Sequence, residues 1–249
     1  MYKKQIRLAN TLICVHSTMD FMWGSYLHLF ESEGDADVNV FVRYAEPDED
    51  VGYMKIDKQS DGFYVAIPEG VYHNLSLWHI LTMLPMEEIL MERGTMILHA
   101  NYVIHNGQAI IFSGPSGIGK STQGGLWEEY GDGAVINGDR ALLTPTEDGV
   151  QVDSYYLSGT SGICSVATAP LKAIVLLDQG PENIIRSVKP LDRFRKILAQ
   201  LSYHPDNLQE RIRITELLEK LLNRAEVIHY TCRKDESAVF CLKDYLFPQ

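Results

Sequence analysis

The segment Gly114–Ser121 matches the phosphate-binding pattern G-x-x-x-x-G-K-[ST]. An apolar run precedes it and a helix-like stretch from Thr122 to Tyr130 follows, which is the strand–loop–helix context that the pattern requires. Glycines let backbone N–H groups converge on phosphate oxygens, and a helix N-terminus adds a favourable field. The segment therefore predicts a nucleotide phosphate site, and the alternative is a glycine-rich helix cap with an incidental lysine. The expected contact residues are Gly114, Pro115, Ser116, Gly117, Ile118, Gly119, Lys120, Ser121 and Thr122.

Two side chains of this segment have the chemistry to handle a nucleoside triphosphate. Lys120 is long enough to reach the β- and γ-phosphates, and the Ser121 hydroxyl can bind Mg²⁺. Further along, the apolar run Ala134–Asn137 leads into Asp139 and Arg140. An acidic residue after the strand that follows the phosphate-loop helix is where such folds place a Mg²⁺ partner. Asp139 could instead cap a turn, and Arg140 could pair with phosphates or with a nearby carboxylate.

A predicted hairpin places His99 near the same loop. Two strand-like runs flank Asn106-Gly107, the strongest short hairpin signal. If these two residues form the turn, His105 faces Gln108 and His99 lies opposite Gly114, although a β-bulge would shift this register by one residue. His99 is therefore predicted at the mouth of the phosphate site, and the alternative is a histidine with satisfied hydrogen bonds at a strand end.

The elements that must position these residues follow from hydrophobic patterning. The first seventy residues or so are predicted to form a small antiparallel β region. Its predicted strands are Gln5–His16, Val38–Tyr44, Gly52–Ile56 and Gly62–Ile67. Asn74–Glu92 is predicted to be helical, with Asn74 or Ser76 as N-cap and with Pro85 producing a kink or two helices.

After the phosphate loop, the pattern predicts a hairpin over 141–156, a polar loop over Ser158–Gly162 and a buried strand over Leu171–Asp178. The polar loop could contact an anion or serve as a linker. The remaining predicted elements are two amphipathic helices, one strand and a last helix: Pro190–Tyr203, Asp206–Ala225, Val227–Cys232 and Glu236–Phe247.

Composition narrows the class of partner. The 249 residues carry a formal net charge of −11, which argues against nucleic acid or an anionic membrane as partner. Ten acidic and three basic residues lie between Glu31 and Asp61, which indicates a solvated acidic face or a docking surface for a basic peptide. The four cysteines show no metal-ligand spacing, and no signal-peptide or membrane-spanning pattern is seen, so a cytoplasmic location is expected.

The phosphate loop, His99 and the Asn137–Arg140 segment together resemble the HPr kinase/phosphorylase-like proteins, whose nucleotide fold is shared with ATP-dependent phosphoenolpyruvate carboxykinase. The stretch 158–178 is similar to smaller relatives such as lasso-peptide serine kinases. The resemblance covers roughly residues 95–247 and implies an α+β fold. In that fold a small N-terminal β-rich region with a helical connector (1–93) precedes an HPr-kinase-like P-loop domain with a mixed β core and C-terminal helices (94–249).

The resemblance implies ATP- and Mg²⁺-dependent transfer of phosphate to a serine hydroxyl of a peptide or protein, in a chain that could form a homo-oligomer. It implies catalytic roles for Asp139, His99, Lys120 and Arg140, with Ser121 and Asp139 as Mg²⁺ ligands. The chain departs from the family at one point, because Gly138-Asp139 stands where HPr kinases have two aspartates. This departure favours the alternative of a non-catalytic nucleotide-binding regulatory module in a peptide-modification system.

Overall fold

A computed structural model describes residues 1–248, which form two compact units, the first ending at Ile89 and the second beginning at Leu90. The sequence-based boundary was placed four residues later, after residue 93. The fold class is α+β, with mixed sheets and several helices. Within residues 1–248, the structure contains no helix with the length and apolar character needed to cross a membrane.

The first unit is built on a five-stranded sheet in the order β1-β2-β3-β5-β4. Its strands are β1 (Tyr2–Leu8), β2 (Thr11–Ser17), β3 (Val38–Tyr44), β4 (Lys55–Gln59) and β5 (Gly62–Ile67). The prediction of an antiparallel region was wrong, because β2 pairs with β3, and β3 with β5, in parallel. Parallel neighbours need long connections, and the segments that follow β2 and β3 are long enough to return the chain to the same end of the sheet.

Three local predictions in this unit can be compared with the structure. The run Gln5–His16 is divided by a tight turn, in which Ala9 has a positive φ of 51°, into the antiparallel pair β1 and β2. The strand predicted at Gly52–Ile56 instead begins at Lys55, since Gly52 lies in a turn with a φ of 53°. Pro85 separates two helices, α1 (Leu77–Met83) and α2 (Met86–Met91), as predicted, and Ser76 is the N-cap.

The second unit contains an eight-stranded mixed sheet, in the order β10-β9-β6-β7-β11-β13-β12 with β8 paired to β6. Its strands are β6 (Met96–His105), β7 (Gln108–Ser113), β8 (Ala134–Asn137), β9 (Arg140–Thr146), β10 (Gly149–Ser154), β11 (Thr168–Gln179), β12 (Ile184–Ser187) and β13 (Val227–Cys232). Its helices are α3 (Lys120–Tyr130), α4 (Pro190–Leu198), α5 (Leu208–Leu222) and α6 (Glu236–Leu246). Strand β12 was not predicted.

Alternation along the strands of this sheet supplies a core on each face. Ile110 and Phe112 of β7 pack with Trp127 of α3 and with residues of α6. Ile111, between them in sequence, belongs to the opposite core, which contains residues of α4 and α5. The sheet is therefore covered by helices on both faces, and the loop after β7 lies at the C-terminal end of a central strand.

The register between β6 and β7 confirms the hairpin prediction. His105 pairs with Gln108 and Ala100 pairs with Ser113, without a bulge. On its other side β6 pairs with β9, and His99 lies directly opposite Arg140. His99, the fourth residue of β6, therefore lies on the strand between β7, which leads into the predicted phosphate loop, and β9, which follows Asp139.

Candidate phosphotransfer site

The phosphate loop runs from the end of β7 to the start of α3. Gly114, Gly117 and Gly119 have φ values of 146°, 78° and 111°, a region that side chains with a Cβ rarely adopt. Gly119 is the N-cap of α3. The Gln179 side chain at the end of β11 donates hydrogen bonds of 3.1 Å to the carbonyls of Gly117 and Ile118. These contacts hold the loop in place from the neighbouring strand.

Lys120 lies within the loop that it is expected to serve. Its ammonium donates to the carbonyl oxygens of Gly114 at 2.8 Å and Pro115 at 3.3 Å, and the residue is only 7% exposed. Burial lowers the pKa of the Lys120 ammonium, and Asp139 partly opposes this shift. The ammonium is thus held by neutral carbonyls, close to the position where phosphate charge would need it.

Asp139 is oriented by Asn137, a residue to which the sequence reasoning gave no role. The Asn137 side-chain oxygen accepts hydrogen bonds of 2.9 Å from the backbone N–H groups of both Asp139 and Arg140. Its amide group donates to the carbonyls of Tyr155 at 2.7 Å and Leu157 at 3.1 Å. Asn137 is completely buried, so it fixes the turn that presents Asp139.

His99 approaches the Asp139 carboxylate from within β6. Its Nε2 lies 3.6 Å from Oδ1 of Asp139, and its side chain is 39% exposed. Burial, followed by the charge of Lys120, lowers the pKa of His99, whereas Asp139 opposes the shift. This shift favours the neutral imidazole, which can accept a proton.

Arg140 contacts the other oxygen of the same carboxylate. Its Nε donates to Oδ2 of Asp139 at 3.2 Å, and its Nη1 donates to the Ser202 hydroxyl at 3.1 Å. Of the two roles left open by the sequence, the structure shows the pairing with a carboxylate.

The polar loop Ser158–Gly162 packs against the Asp139 turn. Gly138 lies against the Ser161 side chain, in a space that has no room for a Cβ. A Cβ on Gly159 would lie 2.6 Å from Cγ of Asp139, and Gly159 has a φ of 55°. Two glycines from distant parts of the sequence thus allow the loop to approach the carboxylate closely.

These segments enclose a polar cleft of about 560 Å³. The cleft is lined by His99, Ser116, Gly117, Gly119, Lys120, Ser121, Thr122, Gly138, Asp139, Thr160, Ser161 and Ile163. It brings most of the predicted residues together. Gly114, Pro115 and Ile118 instead line a second, more apolar cavity of about 290 Å³, with Leu176, Leu177 and Lys196 among its other walls.

The cleft offers oxygen ligands to a magnesium ion, but few of them. Residues 1–248 contain no group of three or more His, Cys, Asp or Glu side chains arranged to hold a metal. The Ser121 hydroxyl and the Asp139 carboxylate both line the cleft. Mg²⁺ is usually bound through one or two carboxylates, substrate phosphates and waters, so this donor set fits it when a nucleotide supplies the remaining oxygens.

Comparison with known proteins yields little support for a family. No protein-family model matches the chain, and no curated protein matches it. Among solved structures, the chain is similar to the HPr(Ser) kinase/phosphatase from Coxiella burnetii, at 13% identity and a TM-score of 0.27. The match covers 49% of this chain and 88% of that chain. A likeness this low does not indicate a shared activity.

Proposed function

We propose that this chain is an ATP- and Mg²⁺-dependent phosphotransferase that acts on a serine hydroxyl of a peptide or protein. The observation that supports the proposal best is the shared cleft. A glycine-rich loop at a helix N-terminus, a buried lysine and a single carboxylate beside a histidine line the same space. This combination suits phosphoryl transfer, because catalysis depends mainly on positioning and on neutralising charge.

Each side of the cleft has a separate task. The backbone N–H groups of Gly117–Lys120 bind the β-phosphate, and Lys120 exchanges its loop carbonyls for phosphate oxygens. Ser121 and Asp139 are the residues that would hold Mg²⁺, which supplies charge neutralisation when it is bound. Across the cleft, Asp139 orients the acceptor hydroxyl and accepts its proton.

His99 and Arg140 tune the Asp139 carboxylate. His99, whose neutral form is favoured, lies 3.6 Å away, so it can take the proton from Asp139 or position the hydroxyl directly. Arg140 donates a hydrogen bond to the second oxygen, which limits the rotation of the carboxylate. One aspartate, flanked in this way, can perform the base role that pairs of aspartates have in HPr kinases.

One observation favours a non-catalytic nucleotide-binding module. Asp139 is the only acidic side chain that lines the cleft within residues 1–248, and Arg140 already occupies one of its oxygens. A regulatory module would need the loop and Lys120 but no base. The partners expected for either function are a serine-bearing peptide or protein, and neither nucleic acid nor membrane.

The two functions separate in a binding and turnover experiment. Wild type, Lys120→Ala and Asp139→Asn would be titrated with ATP and Mg²⁺ by calorimetry. The same proteins would then be incubated with serine-containing peptides and ATP, and the peptides analysed by mass spectrometry. We expect Lys120→Ala to lose nucleotide binding, and Asp139→Asn to keep binding but lose transfer. ATP binding by wild type without transfer to any serine-bearing peptide would contradict the kinase and support the module.

A further inference from the structure

We propose that Thr160 is an intramolecular phosphate acceptor, modified by the same cleft that serves the external substrate. This inference rests on the proposed function. It concerns the Ser158–Gly162 loop, to which the proposed function assigns no role. Thr160 belongs to the Ser158–Gly162 loop and lines the cleft together with Lys120 and Asp139.

The loop is anchored beside the Asp139 carboxylate. Gly159, next to Thr160 in sequence, approaches Asp139 so closely that a Cβ would lie 2.8 Å from Oδ1. On the other side of Thr160, Ser161 packs over Gly138. Thr160 therefore lies between two residues that contact the Asp139 turn.

The hydroxyl groups of this loop differ in availability. Ser161 donates to the carbonyl of Ser158 at 2.6 Å and accepts from the N–H of Ile163 at 3.3 Å. Ser158 is only 7% exposed. Thr160 is exposed, and its hydroxyl makes no hydrogen bond within residues 1–248. It is the loop hydroxyl that is ready to react.

The other hydroxyls in the cleft are on the wrong side for transfer. Ser116, Ser121 and Thr122 belong to the phosphate loop or to the first turn of α3, which hold the nucleotide. An acceptor must approach the γ-phosphorus from the side opposite the leaving oxygen. Thr160 belongs instead to the loop beside Asp139, outside the elements that hold the nucleotide, so it is the residue that we propose makes this approach.

The step balances without any further reactant. The Thr160 hydroxyl oxygen forms a bond to the γ-phosphorus of ATP while the bond from that phosphorus to the β–γ bridging oxygen breaks. The hydroxyl proton passes to the Asp139 carboxylate and then to solvent. The products are ADP and phosphothreonine.

The test is incubation of purified full-length protein with ATP and Mg²⁺ in the absence of peptide, followed by intact-mass and fragment-ion mass spectrometry. We expect a gain of one phosphoryl group on Thr160, at a first-order rate that does not depend on protein concentration. Thr160→Ala should reduce incorporation to less than about a tenth of wild type, and Thr160→Ser should retain it, because either hydroxyl can accept. Ser165→Ala, which changes an exposed serine outside the cleft lining, should incorporate as wild type does.

The outcomes separate this inference from the proposed function. If wild type phosphorylates a peptide but its own mass does not change, the Thr160 inference is wrong and the kinase stands. If Thr160→Ala incorporates as much phosphate as wild type, another residue is the acceptor and the inference also fails. A mixture of Thr160→Ala with Lys120→Ala tests the intramolecular route, since phosphate on the Lys120→Ala chain would show transfer between molecules and overturn it. If wild type neither binds nor turns over ATP, both proposals fail.

Discussion

The predicted phosphate loop lines two cavities that differ in character, and different residues of this one short segment face each of them. On one side Ser116, Gly117 and Gly119 face a polar cleft with Lys120 and Asp139. On the other side Gly114, Pro115 and Ile118 face a smaller cavity with Leu176 and Leu177. The loop thus presents hydroxyls and the N-terminus of α3 to one space and apolar surface to the other. This arrangement places the proposed chemistry in the polar cleft. Each cavity is lined by one lysine, so substituting the two lysines separately tests that placement.

The largest effect is expected from Lys120→Ala in the polar cleft. Removing the buried ammonium should lower kcat/KM for peptide phosphorylation by about 1,000-fold, because no other lysine lines this cleft in the described part of the chain. Steady-state kinetics would measure this change, and circular dichroism would verify the fold. A loss of less than tenfold would show that Lys120 does not contact the transferred phosphate.

The second-largest effect is expected from Asp139→Asn, which should lower kcat by about 100-fold and change the ATP affinity little. The amide keeps the shape of the side chain but cannot accept the hydroxyl proton. Rapid-quench measurement of a single turnover would report the chemical step directly. An unchanged single-turnover rate would assign the base role elsewhere, with His99 as the first residue to examine.

Asn137→Ala should act through both stability and rate. It leaves the N–H groups of Asp139 and Arg140 and the carbonyls of Tyr155 and Leu157 without their partner. We expect a loss of about 2 kcal/mol in the free energy of unfolding and a fall of about tenfold in kcat. Urea denaturation and kinetics measure the two effects. Asn137→Asp keeps the acceptor oxygen but places a buried carboxylate oxygen against the carbonyls of Tyr155 and Leu157, so it should be at least as destabilising while retaining more of kcat than Asn137→Ala does. An equal fall in kcat in the two variants would contradict this positioning role.

His99→Gln tests the pH dependence of the polar cleft. Burial and the charge of Lys120 lower the pKa of His99, because both disfavour its protonated form. The neutral imidazole is thereby favoured, and kcat/KM in wild type should fall as the pH drops through the lowered pKa of His99, at a more acidic pH than for an ordinary histidine. The variant should lose that part of the profile and about tenfold of the rate at pH 7.5. An identical profile in both proteins would show that Asp139 alone sets the pH dependence.

Lys196→Ala provides the matched control from the apolar cavity. Lys196 is an exposed lysine that lines the cavity on the far side of the same loop. Exposed substitutions away from specific contacts usually have small effects, so kcat/KM should change by less than about threefold. A defect as large as that of Lys120→Ala would show that the two cavities are not chemically distinct.

The sequence was informative where the structure depends on local chemistry. Asn106-Gly107 dictates a tight turn, so the register that carries His99 to the loop could be predicted, and Pro85 similarly separated α1 from α2. Asn137 was not identified as a positioning residue, since its role depends on the carbonyls of Tyr155 and Leu157, which only the tertiary fold brings near. The contact of Gly159 with Asp139 was inaccessible for the same reason.

In the first unit, the direction of neighbouring strands in the sheet likewise could not be predicted from the sequence. Alternating strand patterns located β3 and β5, but patterning does not determine whether neighbouring strands run parallel. Strand direction depends on where the long connections cross, and no short motif records that. Strand β12 was missed because it has only four residues, none of them buried, and it is stabilised by pairing with β13.

The hydrogen bonds of Lys120 also link the two cavities thermodynamically. Its ammonium rests on the carbonyls of Gly114 and Pro115, and these two residues form part of the wall of the apolar cavity. When a phosphate draws the ammonium away, that wall loses a cation and its two carbonyls lose their donor. Consider a small molecule whose affinity for the apolar cavity changes when nucleotide binds and draws the ammonium away. Because linkage is reciprocal, that molecule changes the affinity for nucleotide by the same factor by which nucleotide changes the affinity for the molecule.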